Sequence, residues 1–259
     1  MKKIFFVFLI LCLMLAGCGK KNQNLFKDDL SKIIERGYII VGVRDDTAPF
    51  GFKDKSGKLA GLDIDIAKII AKNILGNEEK INFVPVTASN RIGKLNSGEV
   101  DILIATMSIT DNRQQILDFS SPYYIAGQAI LTKSSSKAMG LRDFRGKKLI
   151  IVFGSTSEEN LRTNVPDIEV LGFKTYNEAY KALKSGKAEG IVSDDTILMG
   201  YALNDKTVKL LPKRYSQEPY AVAFRKEKES QRLLQKIDYI IDNLQSTGKL
   251  TKMQEKWGI

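Results

Sequence analysis

Residues 61–75 read GLDIDIAKIIAKNIL. Leu62, Ile66, Ile69, Ile70 and Ile74 recur at a helical period on one face, and Gly76 follows as a stop, so the spacing predicts an amphipathic helix. The flanking stretches have a different pattern. Residues 38–43 (YIIVGV) and 81–86 (INFVPV) are short β-branched runs and predict buried strands. Beyond them, residues 90–96 predict a short helix closed by Ser97-Gly98, and residues 100–105 (VDILIA) a further strand. Strand, helix, strand, helix, strand implies right-handed crossovers and a mostly parallel sheet.

The pattern starts again after a break. Residues 148–153 (KLIIVF), 168–173 and 190–193 predict strands; helices are predicted from about Glu158, over 177–184 and over 196–203. Residues 125–133 (IAGQAILTK) and 219–225 (PYAVAFR) read as two extended connectors, and residues 230–257 as helices. Two α/β lobes joined by two strands make a hinge architecture. The boundaries read as 27–124 with 220–259 for one lobe, 128–217 for the other, and 125–127 with 218–219 for the hinge.

The N-terminus reads as an address. Lys2 and Lys3 precede thirteen apolar residues (4–16), a run of signal-peptide length and shorter than the ~20 residues of a spanning helix. Leu15-Ala16-Gly17-Cys18 looks like a bacterial lipobox, in which Cys18 is lipidated and becomes the mature N-terminus. Residues 1–17 are then the signal peptide and 18–26 a polar tether, which makes the product a secreted, membrane-anchored lipoprotein.

Composition narrows the function. The 259 residues carry 40 Lys and Arg against 30 Asp and Glu, a formal net charge of +10. No block of five basic residues occurs, so this is a solvated basic surface and nucleic acid is not an expected partner. There is no His, and the only cysteines are Cys12 and Cys18. The body lacks the commonest general base, a thiol nucleophile and a Cys metal cluster, so no enzyme, metal or cofactor is expected. A monomer is the default.

In two α/β lobes of this kind, ligands bind between the lobes at the carboxyl ends of parallel strands. Those loops hold groups suited to a zwitterion. Arg113 follows VDILIA and offers a fork for a carboxylate, with Thr106 and Ser108 beside it. Asp194 follows the strand at 190–193 and offers an acceptor for an ammonium. Residues 154–157 (GSTS) open a helix whose N–H groups favour an anion. Each has a plainer reading: an Arg in solvent, Asp194 or Asp195 capping the next helix, GSTS as an ordinary turn.

The chain also resembles the polar amino-acid solute-binding proteins of ABC importers, extracellular solute-binding protein family three. The resemblance rests on GYIIVGVRDDTAPFGF (37–52), GKLAGLDIDIAKIIAKNILG (57–76), RIGKLNSGEVDILIATMSITDNR (91–113), DFSSPYY (118–124), FRGKKLIIVFGSTSEENL (144–161) and EAYKALKSGKAEGIVSDDTILMGY (178–201). It implies a periplasmic-binding-protein-like fold of type II, with the cleft between hinged lobes. It implies a permease and ATPase complex as partner. It also implies that Arg113 clamps an α-carboxylate with Ser108 and the backbone near Thr156, and that Asp194 and the Thr106 carbonyl take the α-ammonium.

Many relatives place an aromatic residue just before the Pro-Phe pair; here Thr47 and Ala48 precede Pro49-Phe50. Arg44 and Arg91, with Tyr176, are similar to the aspartate/glutamate binders, in which basic groups meet a side-chain carboxylate. Arg44, Arg91 and Arg113 against Asp194 leave two net positive charges for a ligand of net charge −1. L-glutamate or L-aspartate is therefore the expected ligand. In the alternative, Arg44 faces solvent and Arg91 pairs with Asp45 or Asp46. The ligand is then glutamine or another polar amino acid. A ligand-sensing lipoprotein is the other functional reading.

Overall fold

Helix Leu62–Leu75 buries Leu62, Ile66, Ala67, Ile70 and Ala71 against a five-stranded sheet, as its periodicity requires. A computed structural model describes residues 27–259; the expected signal peptide, the expected lipidation site Cys18 and the expected tether lie outside the described residues. The helix begins at Gly61, whose φ is +125°, and a Cβ there would lie 1.9 Å from the Phe50 carbonyl oxygen. It ends at Gly76 in the left-handed region, where the Gly76 N–H reaches the Lys72 carbonyl.

The first sheet runs in the order Ile81–Pro85, Ile39–Val43, Ile102–Ile104, Ala223–Arg225, Leu117–Phe119. The second runs Glu169–Phe173, Lys148–Val152, Gly190–Asp194, Gln128–Lys133, Val208–Leu210. In each, the first three strands are parallel, and the remaining two join antiparallel. Four of the five strands in each sheet thus run the same way, and one, Ala223–Arg225 or Gln128–Lys133, is reversed. The cause lies in the connectors. Each crosses between lobes and then continues into a strand of the lobe it enters. Only Tyr124–Ala126 and Glu218–Tyr220 form the bridging ribbon, where Pro219 pairs with Ile125. Gln128–Lys133 becomes an inner strand of the second sheet and Ala223–Arg225 an inner strand of the first.

Helices Gln231–Ser246 and Lys249–Lys256 pack on the first sheet: Leu233, Ile237, Ile241 and Leu250 share a core with Ile33, Ile39 and Val41. The second lobe has its own cores on either face of its sheet, one around Ile150, Ala179, Leu183 and Leu198, the other around Phe144, Leu149, Ile151 and Leu161. Among the described residues, no helix is long and apolar enough to cross a membrane.

The lobes are shut on each other. Gly154, at φ +81°, presses its Cα against Ala88–Ser89 of the first lobe; a Cβ there would lie 2.4 Å from the Ala88 carbonyl oxygen. Its own carbonyl accepts from Arg91 Nη2 at 3.3 Å and Arg113 Nη2 at 3.1 Å, and Asn112 Nδ2 donates to Glu159 Oε1 at 3.1 Å.

Candidate ligand-binding site

The strand ends of both lobes meet around one small cavity of about 260 Å³, lined by Arg44, Ala88, Arg91, Thr106, Ser108, Arg113, Ser155, Thr156, Tyr176 and Asp194. All eight ligand-contact residues expected from the sequence are among them. That volume includes space open to solvent, and its lining is mostly polar.

Strand Ile102–Ile104 delivers Thr106 and Ser108. Thr106 sits in the left-handed region at φ +47°, a conformation that costs a threonine about 1–3 kcal/mol. It is held there by hydrogen bonds: its N–H donates to Asp63 Oδ2 at 3.1 Å, and its carbonyl accepts from Arg91 Nη1 at 3.0 Å. Asp63 lies in the first turn of helix Leu62–Leu75 and also accepts from the Tyr123 hydroxyl at 2.8 Å. Burial pushes the Asp63 carboxyl up to about 6, against the pull of Tyr123, the Thr106 N–H, Arg91 and Arg44.

Arg113 lies in a one-turn helix whose Thr110 cap accepts from the Arg113 N–H. Its guanidinium donates from Nη1 to the Ser108 carbonyl at 2.8 Å and from Nη2 to Gly154, which leaves the remaining donors of the fork for a carboxylate. Burial lowers its pKa, while Asp194 and Glu218 hold it up.

The second lobe supplies Thr156, Tyr176 and Asp194. Asp194 ends strand Gly190–Asp194 and makes no side-chain cap bond to the helix that follows. Asp195 instead accepts from the Thr196 and Gly127 N–H groups. Tyr220, on the bridging ribbon, donates its hydroxyl to Asp194. Burial and the like charge of Glu218 push Asp194 up to about 7, against Tyr220, Arg91 and Arg113. The Thr156 hydroxyl donates to Glu218 Oε2 at 2.9 Å and accepts from Gln128 Nε2 at 2.8 Å. Tyr176 shares a 2.7 Å hydrogen bond with Ser193, and burial raises it to about 12.

Arg44 and Arg91 differ from both expectations. Arg44 is 1% exposed and does not face solvent. It pairs with Asp46, donating from Nε at 3.1 Å and Nη2 at 2.6 Å. Arg91 has neither Asp45 nor Asp46 as partner; Asp45 pairs with Lys53 at 3.0 Å. Arg91 spends its Nη groups on the carbonyls of Ala105, Thr106 and Gly154, and its Nε has no partner among the described residues. Burial, with Arg113 and Arg44 nearby, pulls it down to about 9. The count of two surplus positive charges therefore fails. Three guanidinium groups share the region with the carboxylates of Asp46, Asp63, Asp194 and Glu218.

The model of the bacterial extracellular solute-binding proteins, family 3, matches residues 39–259. The chain belongs to that family. It is an extracytoplasmic amino-acid solute-binding protein of the ABC-transporter class, so it holds and releases its ligand without transforming it. The ABC transporter glutamine-binding protein GlnH of Bacillus subtilis (strain 168) is 40% identical over 268 residues, 99% of this chain and 97% of that protein. The solved structure of an ancestral arginine-binding protein bound to glutamine matches with TM-score 0.79 at 39% identity, covering 86% of this chain and 98% of that one. The glutamate/aspartate import solute-binding protein of Salmonella typhimurium is similar at a lower level, 28% over 240 residues, 88% of this chain and 78% of that protein.

Asp63, Gln128, Glu218 and Tyr220 escaped the sequence reading of the site, and Asp46, weighed there as a partner of Arg91, pairs with Arg44 instead. The doublet Asp45-Asp46 beside Arg44 and the acidic first turn in GLDIDIA were the available signals. Gln128, Glu218 and Tyr220 belong to the connectors and their continuations, which show only extended character in the sequence.

Proposed function

We propose that this family member binds L-glutamine in the cavity between its lobes and passes it to an ABC permease and ATPase complex. The observation that carries this reading is the internal pairing of the site's charges. Arg44 already has Asp46, and Arg91 is committed to three backbone carbonyls. Arg113 and Asp194 remain as complementary groups for one α-carboxylate and one α-ammonium. A second carboxylate on the ligand then enters a region where the carboxylates of Asp46, Asp63, Asp194 and Glu218 already offset the three guanidinium charges. A buried charge lacking its partner costs roughly 3–5 kcal/mol, a factor of a hundred or more in affinity. A side-chain amide has no such cost, and Arg91 Nε offers it a donor. The similarity to glutamine-binding relatives supports the same choice over glutamate or aspartate.

In this reading Arg113, Ser108 and the turn at Thr156 hold the carboxylate. Asp194 and the Thr106 carbonyl hold the ammonium, and Arg44, Arg91 and Tyr176 face the side chain. Residues 125–127 and 218–219 act as the hinge on which the lobes open. Cys18 anchors the mature chain to the membrane as a monomeric lipoprotein.

Calorimetry on the mature protein tests the ligand. L-glutamine should bind one to one, with L-glutamate and L-aspartate at least about a hundredfold weaker. Either acid binding more tightly than glutamine refutes the reading.

A further inference from the structure

One end of the ligand cavity is formed by Arg44, a side chain that has no need of a ligand to be satisfied. Its guanidinium is held by Asp46 Oδ1 from two nitrogens, and its Cζ lies 5.6 Å from the centre of the Tyr176 ring. A carboxylate acceptor and an aromatic face together make a complete guanidinium site, here filled by the protein itself. Asp46 also lines a second, wider crevice between the lobes, of about 1120 Å³ with open solvent included, bordered by Thr47, Ala48, Asn177 and Tyr201. No residue lines both spaces. Arg44 touches both walls of the partition, Asp46 on the crevice side and Tyr176 on the cavity side.

We propose that Arg44 is a specificity-determining plug that occupies the place of a cationic ligand side chain and thereby excludes guanidinium-bearing amino acids. It does so in two ways. Its stem and head fill the path from the cavity towards the crevice. Its charge, added to those of Arg91 and Arg113 in the same cavity lining, disfavours a further cation on a ligand. Shortening the side chain frees both Asp46 and the Tyr176 face. The head group of L-arginine then has the same two partners that Arg44 has now. The inference rests on the reading that an amino acid binds in this cavity with its side chain towards Arg44.

The test is calorimetry of Arg44→Ala and wild type with L-arginine and L-glutamine. A charge-assisted bond to the partly buried Asp46 carboxylate predicts that the variant gains about ten- to hundredfold in L-arginine affinity over wild type, while L-glutamine weakens. Arg44→Met, which refills the volume without the charge, should show no gain. Adding Asp46→Asn to Arg44→Ala should abolish it. An Arg44→Ala protein that binds glutamine but gains nothing for arginine overturns the plug, as does a gain that survives Asp46→Asn. Failure of wild type to bind glutamine overturns the ligand assignment instead, and the arginine comparison still decides the plug. Where Arg44→Ala is too unstable for calorimetry, its melting temperature gives the same answer. L-arginine must raise it by more than it raises that of wild type at equal concentration, and equal rises overturn the proposal.

Discussion

In its proposed role, Asp194 ties ligand binding to pH. Its carboxyl sits near 7 because it is buried beside Glu218, and only the ionised form accepts from a ligand ammonium. Protons therefore compete with the ligand: affinity is full above about pH 8 and falls as pH drops through 7, approaching tenfold per unit below it. Calorimetry from pH 8 to 5 checks this, and Asp194→Asn should flatten the profile; a flat wild-type profile contradicts the role. Arg91 gives a second prediction. Its Nη groups brace the Ala105, Thr106 and Gly154 carbonyls, so Arg91→Ala should weaken glutamine and glutamate by similar factors. A loss confined to the acids would return Arg91 to the selective role that the sequence implied. At this scale the residues lining the cavity were legible, because each follows a recognisable strand end. Their partners were not. Asp63 comes from a helix start and Glu218 from a connector, and no local pattern shows that the one meets the Thr106 N–H and the other the Thr156 hydroxyl.

Helix Leu62–Leu75 is the element on which the first lobe's half of the site depends. It buries one face in the core, and its first turn carries Asp63 to the Thr106 N–H. Gly61 allows that entry: its φ of +125° and its contact with Phe50 leave no room for a side chain. Gly61→Ala should destabilise the protein by about 2 kcal/mol or more, through positive-φ strain and displacement of the 49–50 backbone. Urea unfolding measures it, and a change below half that figure contradicts the account. The helix and the parallel strands were plain in the sequence because a period of 3.6 and β-branched runs survive in any context. The small meander Asp46–Thr47, Gly51–Lys53, Leu59–Ala60 was not, since strands of two or three residues are too short to show a period. The dual role of the connectors was hidden for another reason: ribbon and inner strand have the same extended residues, and only tertiary pairing divides them at Gly127.

At the scale of the whole molecule, two lobes close over a shared cavity, and the clasp uses the groups assigned to the ligand. Arg91 and Arg113 of the first lobe both reach Gly154 of the second. In the proposed function, closure and binding are coupled through the same guanidinium groups. The proposed anchor makes a prediction at this scale too: Cys18→Ser should move the protein from the membrane fraction to the soluble one, and persistent attachment contradicts lipidation. The central claim is that one free amino acid is held between the lobes, its carboxylate on Arg113 and its ammonium on Asp194. A crystal structure of the mature protein grown with L-glutamine tests it most directly. The account predicts glutamine in the cavity, with its α-carboxylate within hydrogen-bond distance of the Arg113 guanidinium and its ammonium against Asp194. Glutamine bound elsewhere, or seated in the cavity with Arg113 and Asp194 turned away from it, contradicts the account.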